Sequence, residues 1–434
     1  MELQPRPVPP DPQAEPASPR ERARHWVLAT RAVINGPAFA AMRGGLRLAS
    51  PLGPPFLLKM LVRPQWLFEA APPIPRRDVT FTGPAERSEV DRQLCERIAR
   101  AYQKACDDDI ELSPIWVGKL GRYYGRLDAA LRAADAEALN DQLRWMFRRP
   151  FLAGISTPID YEDPAAPRYW ALMTYDRLVS LAEAVGAIRV ECPEQGPVGR
   201  AFAEGIETLP ARIEGKLGIS LDYPRVGAPY GITIGDRLIT RETGQHLHAA
   251  VRLRDAIEAH LQRSPGDDVD VLELGGGFAG AAMWYLRLSR AWAGSYTIVD
   301  LPLMNAVQAY FLGQIYGPDA LQLFGEQDGG SPIRIFPPRA LRTGTPISAD
   351  VVFNQDSMPE MSGEAARGYL AWMQERVSGL FVSHNQEAAT PVDGIPQLVV
   401  GELVGEFDQL ERISRQPSWV RRGYVEEIYR CGKG

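Results

Sequence analysis

Only four cysteines occur in the 434 residues, at Cys95, Cys106, Cys192 and Cys431, and no two form a Cys-x-x-Cys pair. This excludes a zinc ribbon and a disulfide framework and predicts reduced thiols. Basic residues are not in excess. Lys and Arg number 48 against 54 Asp and Glu, a formal net charge of −6, which argues against nucleic acid as a partner. No run of eighteen apolar residues exists to cross a membrane. Met1 to Pro19 is Pro-rich and polar, without the apolar centre of a signal peptide, so the expected location is cytoplasmic. The length allows two or three domains, each able to bury a core.

The chemistry is concentrated in residues 269 to 300. Val269 to Leu274 is an apolar run of the kind a buried parallel strand shows. Gly275, Gly276 and Gly277 follow, offering unusual dihedrals and bare backbone for close approach of a bulky ligand. A helical stretch and a second strand then lead to Asp300, placed to accept hydrogen bonds from a ribose diol, with Leu301 beside it. Gly275-x-Gly277-x-x-Gly280 formally matches the dinucleotide fingerprint. Glu273 discriminates between ligands. A carboxylate at the end of the first strand repels a pyrophosphate but suits the ammonium and sulfonium of S-adenosyl-L-methionine (SAM).

Residues 1–19 are expected to be a disordered Pro-rich tail. In 20–85 lies a basic and apolar arm: from Pro19 to Arg63 eight Lys or Arg face one acid, Glu21. Such a stretch can lie on an anionic membrane surface, or pack on its parent domain or on a partner subunit in a homo-oligomer. Residues 86–210 read as a helical domain, with Leu94, Ile98, Tyr102 and Ala105 on one face and a further helix near Tyr169 to Val185. Residues 211–434 form the expected catalytic domain. Its first part, to 245, carries too many turn formers for a helix and is read as a lid or linker, with Tyr223 and Tyr230 able to cover a cofactor. A helix from His246 to Leu261 leads into the first strand. After Asp300, Pro302 opens a helix to about Tyr316. Strands follow at 333–336, 350–354, 380–383 and 398–400, with a last one near 423–430. This alternation predicts an α/β fold with a doubly wound, mostly parallel sheet.

In such sheets ligands bind at the carboxyl ends of the strands. Asn354 and Gln355 are placed to hold the amino-acid end of the cofactor. Asp356 and Glu360 stand where a transferred methyl would emerge, and His384 leaves the fifth strand on the same edge. A hydroxyl is a weak nucleophile at neutral pH, so a base must take its proton. His384 has the suitable reference pKa, and Asp356 either orients it or serves itself. A second arrangement uses Asp356, Asn385 and Glu360 as oxygen ligands of Mg²⁺. His246 and His248 read as structural, with one of them able to face the substrate.

Leu-Glu-Leu-Gly-Gly-Gly-Phe-Ala-Gly (272–280), Tyr-Thr-Ile-Val-Asp-Leu-Pro (296–302), Asn-Gln-Asp-Ser-Met-Pro-Glu-Met-Ser (354–362) and Val-Ser-His-Asn (382–385) resemble the sugar O-methyltransferases of bacterial polysaccharide and natural-product gene clusters. The resemblance covers about 215–390 and extends faintly to 110–150. It implies a Rossmann-like SAM-dependent methyltransferase, with a sugar or glycoside hydroxyl as small-molecule acceptor. It also implies shared roles for Asp356 and Glu360, whereas the family does not fix the residue at His384. The readings left open are an N- or C-methyltransferase of a specialised metabolite, a non-catalytic SAM-fold partner subunit, and a nicotinamide-dependent oxidoreductase.

Overall fold

The computed structural model describes residues 61–432, apart from 67–73, 76, 107–111, 153–154, 157–165, 197, 264–266, 290–293, 390 and 393. The chain divides into two compact units, Met1–Met60 and Leu61–Gly434. The Pro-rich tail and the basic arm to residue 60 lie outside the described residues.

The second unit begins with an anchored segment. The backbone N–H groups of Val62 and Arg63 donate to the Asp176 carboxylate at 2.7 and 2.9 Å. The buried Arg63 guanidinium reaches Ser180 and Glu183, and Trp66 packs edge-on against Phe202. Strand β1 (Thr80–Phe81) then precedes α1 (Glu89–Ala105), α2 (Pro114–Tyr123), α3 (Gly125–Arg132), α4 (Ala136–Leu143), α5 (Ala166–Ala184), α6 (Arg200–Ala203) and α7 (Leu209–Leu217). Helix α1 starts where Ser88 and Asp91 form a reciprocal capping box, and it buries Leu94, Ile98, Tyr102 and Ala105. Burying each large apolar side chain contributes roughly 1.5–3 kcal/mol.

Within the segment read as a lid or linker, the chain forms β2 (Tyr230–Ile234) and β3 (Arg237–Ile239), an antiparallel pair that β1 joins as a third strand. Tyr223 packs on Phe147 and Phe311, and Tyr230 on Trp170 and Phe81. The β-branched run in Tyr-Gly-Ile-Thr-Ile outweighs the flanking turn formers. Helix α8 (Arg241–Leu261) begins five residues before the expected start at His246, because Thr240 and Thr243 supply a capping box.

The main sheet follows: β4 (Val271–Leu274), α9 (Gly280–Ser289), β5 (Tyr296–Val299), α10 (Pro302–Tyr316), β6 (Leu321–Leu323), β7 (Ile333–Phe336), β8 (Val351–Gln355), α11 (Gly363–Arg376), β9 (Leu380–Gln386), α12 (Val400–Val404), β10 (Leu410–Pro417) and β11 (Tyr424–Cys431). Its order is β10-β11-β9-β8-β4-β5-β7-β6. The strands from β9 to β6 are parallel, and β11 runs antiparallel to both β9 and β10. The α/β, doubly wound, mostly parallel architecture is therefore the observed one. The expected strand at 398–400 is not formed, since Val400 opens α12, and β10, with most of its residues solvated, was not anticipated. Strand order reverses at β4, with β5 on one side and β8 on the other. A crevice opens at such a switch point, at the carboxyl ends of the strands.

Candidate functional site

The crevice holds a cavity of about 150 Å³, room for on the order of ten waters. Glu273, Gly275–Gly277, Asp300, Leu301, Gln355, Asp356 and Glu360 all line it. So do His246, Ser113, Trp116, Ser357 and Tyr369, brought from other parts of the chain.

The glycine turn has a local reason. Gly275 adopts φ +71°, and a Cβ there would lie 2.1 Å from Ser357 Oγ. Gly280, the last glycine of the apparent dinucleotide fingerprint, is needed for a different purpose: its Cβ would lie 2.1 Å from His246 Nδ1. The ring of His246 occupies the space that this glycine leaves, edge-on to Phe278.

Glu273 is 2% exposed, and the Tyr296 hydroxyl donates to its Oε2 at 3.0 Å. Burial pushes its carboxyl up to about 8; the Tyr296 hydrogen bond opposes this, and nearby Asp300 adds to it. Asp300 accepts from Leu301 N at 2.8 Å, Gln308 Nε2 at 2.7 Å and Gly277 N at 3.2 Å. Burial nonetheless lifts it to about 7, those donors acting against the rise. Two acids on adjacent strand ends thus flank the glycine turn, and burial disfavours the charge on both.

The other end of the cavity is built from β8 and its neighbours. Asp356 sits at φ +66°, a left-handed conformation a non-glycine residue adopts only when its surroundings enforce it. The enforcing contacts are visible. Asn354 Nδ2 donates to Leu274 O at 2.8 Å and to Ser357 Oγ, while Ser357 Oγ donates to Leu274 O at 2.8 Å. The ends of β4 and β8 are clamped together, and Asp356 is turned into the cavity. Arg421, lying over the Tyr424 ring, ion-pairs with the Asp356 carboxylate from outside the cavity. Glu360 pairs with Lys119 of α2 at 2.7 Å.

Three expected site residues do not line this cavity. Tyr230 is held in the β1–β2–β3 sheet by Trp170 and Phe81. Asn354 has spent its amide on the clamp, and its Oδ1 accepts from Asn385 Nδ2 at 3.0 Å. His384 is 7% exposed and stands edge-on to Phe353, in a small polar space shared with His248, Gln355 and Arg421. Burial depresses its pKa to about 4. The three candidate Mg²⁺ ligands are separated among different partners: Asp356 to Arg421, Glu360 to Lys119, and Asn385 to Asn354 and Ser383. Among the described residues no group of three His, Cys, Asp or Glu side chains is arranged to hold a metal ion.

Of the two histidines read as structural, with one able to face the substrate, His246 is the one in the cavity lining. Its Nε2 lies 3.2 Å from Gln245 Nε2, and Gln245 Oε1 accepts from the buried Arg177 guanidinium. Burial depresses the His246 pKa to about 4, against the pull of Glu242 and Asp356. No local motif marks this residue; only the packing of α8 against α9 brings it over Gly280.

No family model matches the chain and no curated protein does. Among solved structures, the mitomycin 7-O-methyltransferase MmcR is 14% identical, covering 79% of this chain and 96% of that one, with a TM-score of 0.33. The pyocyanin biosynthetic protein PhzM is 12% identical over 78% and 94%, also at 0.33. The 1,6-didemethyltoxoflavin-N1-methyltransferase of Burkholderia thailandensis is 17% identical over 43% and 79%, at 0.31. At such distances the chemistry of this chain rests on its own site.

Proposed function

We propose that this chain is a SAM-dependent methyltransferase that methylates a hydroxyl of a sugar or polyhydroxylated natural product. The observation that carries the reading is Glu273, a buried carboxyl facing the cavity across a bare glycine turn from Asp300. A buried acid with one hydroxyl partner is costly when ionised unless a cation meets it. The ammonium of SAM is such a cation, and a pyrophosphate is not. Asp300 retains acceptor capacity for a ribose diol, and Gly275–Gly277 leave the backbone open to close contact. When bound, SAM supplies an electrophilic sulfonium methyl.

The protein's own tasks are to hold the acceptor in line, exclude water and take a proton from the hydroxyl as the new bond forms. Asp356 lines the cavity with a side chain 39% exposed, and we assign it the proton. Arg421 and the β4–β8 clamp fix where that carboxylate points. Neutral His246 forms part of the wall nearby, whereas Glu360 is engaged by Lys119. Calorimetric titration with S-adenosylhomocysteine (SAH), with Mg²⁺ and with a chelator, tests the cofactor. Micromolar binding in both is expected, and binding of a nicotinamide dinucleotide in its place overturns the reading.

A further inference from the structure

The charges lining the cavity all have one sign. Four carboxyl groups face it, Glu273, Asp300, Asp356 and Glu360, and among the described residues no Lys or Arg does. The first two belong to the proposed cofactor end. The other two define what an acceptor meets, and each is backed by a cation that does not itself line the cavity: Arg421 behind Asp356, and Lys119 behind Glu360. A third buried cation, Arg177, has its guanidinium directed to Gln245. The remaining polar groups of the lining, Ser113, Trp116, His246, Gln355, Ser357 and Tyr369, are uncharged near neutral pH, burial holding the His246 ring neutral.

This order of charges selects among acceptors. A hydroxyl or an ammonium entering the cavity meets oxygen atoms whose lone pairs are held in place, and a vicinal diol can donate to both oxygens of one carboxylate. A phosphate or carboxylate meets Asp356 and Glu360 before any cation. It must either suffer like-charge repulsion or break an ion pair to reach Lys119 or Arg421. Among the described residues the lining offers no Lys or Arg to clamp a phosphate. Lys119 of α2 presents its ammonium group to Glu360 and lies 4.7 Å from the centroid of the Trp116 ring, which lines the cavity.

Resting on the methyltransferase reading, we propose that the acceptor is a neutral or amine-bearing polyol, and that phosphorylated, carboxylated and nucleotide-linked sugars are rejected by Asp356 and Glu360. Methylation then belongs after a step that releases the sugar from its phosphate or nucleotide carrier, or after its transfer to an uncharged aglycone.

The test measures transfer of labelled methyl from SAM into four pools at equal concentration: methyl glycosides, their 2-amino counterparts, hexose 6-phosphates and nucleoside diphosphate hexoses. SAH binding is measured on the same protein. Turnover in the first two pools, with kcat/KM at least ~10-fold above the phosphorylated ones, is the expected result. Preference for the phosphorylated pools overturns the proposal. So does absence of turnover in all four while SAH still binds. If SAH does not bind, the methyltransferase reading itself falls. Glu360→Gln supplies a second measurement, because it frees Lys119 to meet an anion. It should raise kcat/KM for a hexose 6-phosphate relative to its glycoside by about 10-fold, and an unchanged ratio would show that Glu360 is not part of the filter.

Discussion

Cofactor binding should be strongly linked to protons, and the structure sets the size of the effect. Without ligand, the Glu273 carboxyl titrates near 8 and Asp300 near 7, both raised chiefly by burial. An ammonium and a ribose diol are better met by the ionised forms. Near pH 6 only about one Glu273 in a hundred is ionised, so lowering the pH from about 9 to about 6 weakens binding roughly 100-fold through this residue alone, about 2.7 kcal/mol. Asp300 adds up to about another 10-fold over the same window. The sign for stability is opposite. Both folded values lie above the ordinary 4.5 and 3.8, so the ligand-free protein binds extra protons when folded. That contribution is complete below about pH 4 and is lost as the pH rises through 7 and 8. SAH titrations at four pH values, in buffers of differing ionisation enthalpy, measure both affinity and proton release. Glu273→Gln should remove the larger part of the slope and weaken binding at pH 9. A Kd that stays within threefold from pH 9 to pH 6, or tightens on acidification, refutes the placement of the cation at Glu273.

Four further outcomes are expected. Asp356→Asn should slow methyl transfer about 100-fold with SAH affinity unchanged, while His384→Ala, outside the cavity, should keep kcat within a few-fold of the parent in the same assay. Gly280→Ala drives a methyl group into the His246 ring and should cost about 1–3 kcal/mol in urea unfolding; an unchanged midpoint would mean the ring moves freely. Arg63→Met leaves Asp176 and Glu183 buried without their cation and should cost about 3–5 kcal/mol by the same method.

The sheet was legible because its strands are buried on both faces and so appear as apolar runs ended by acids or polar residues. Val271–Leu274, Tyr296–Val299 and Ile333–Phe336 fall where they were expected. The strand β10, Leu-Glu-Arg-Ile-Ser-Arg-Gln-Pro, has a largely solvated surface and thus no such run. The cofactor end of the site was readable for a related reason: strand, turn and second strand are contiguous in sequence. The proposed acceptor end was readable only in Asp356 and Glu360, just after β8. His246, Trp116 and Arg421 come from α8, α2 and the turn before β11, and only tertiary packing assembles them. His384 misled because strand-end position gives no account of side-chain direction. Its register partner is Gln355, which lines the cavity, but the His384 ring lies against Phe353 and is not part of the lining.

The clamp formed by Asn354, Ser357 and the Leu274 carbonyl has an implication for how such a site changes over time. It fixes the end of β8 to the end of β4, so the groups that would hold the cofactor and the acid that would serve the acceptor form one rigid frame. The residues that tune this acid and narrow the space before it, Trp116, Lys119 and Arg421, sit on α2 and on the turn between β10 and β11. Neither stretch carries a strand of the parallel core. Replacing these two peripheral stretches would therefore reshape the approach to the cavity while leaving the burial of Glu273 and the left-handed turn at Asp356 intact.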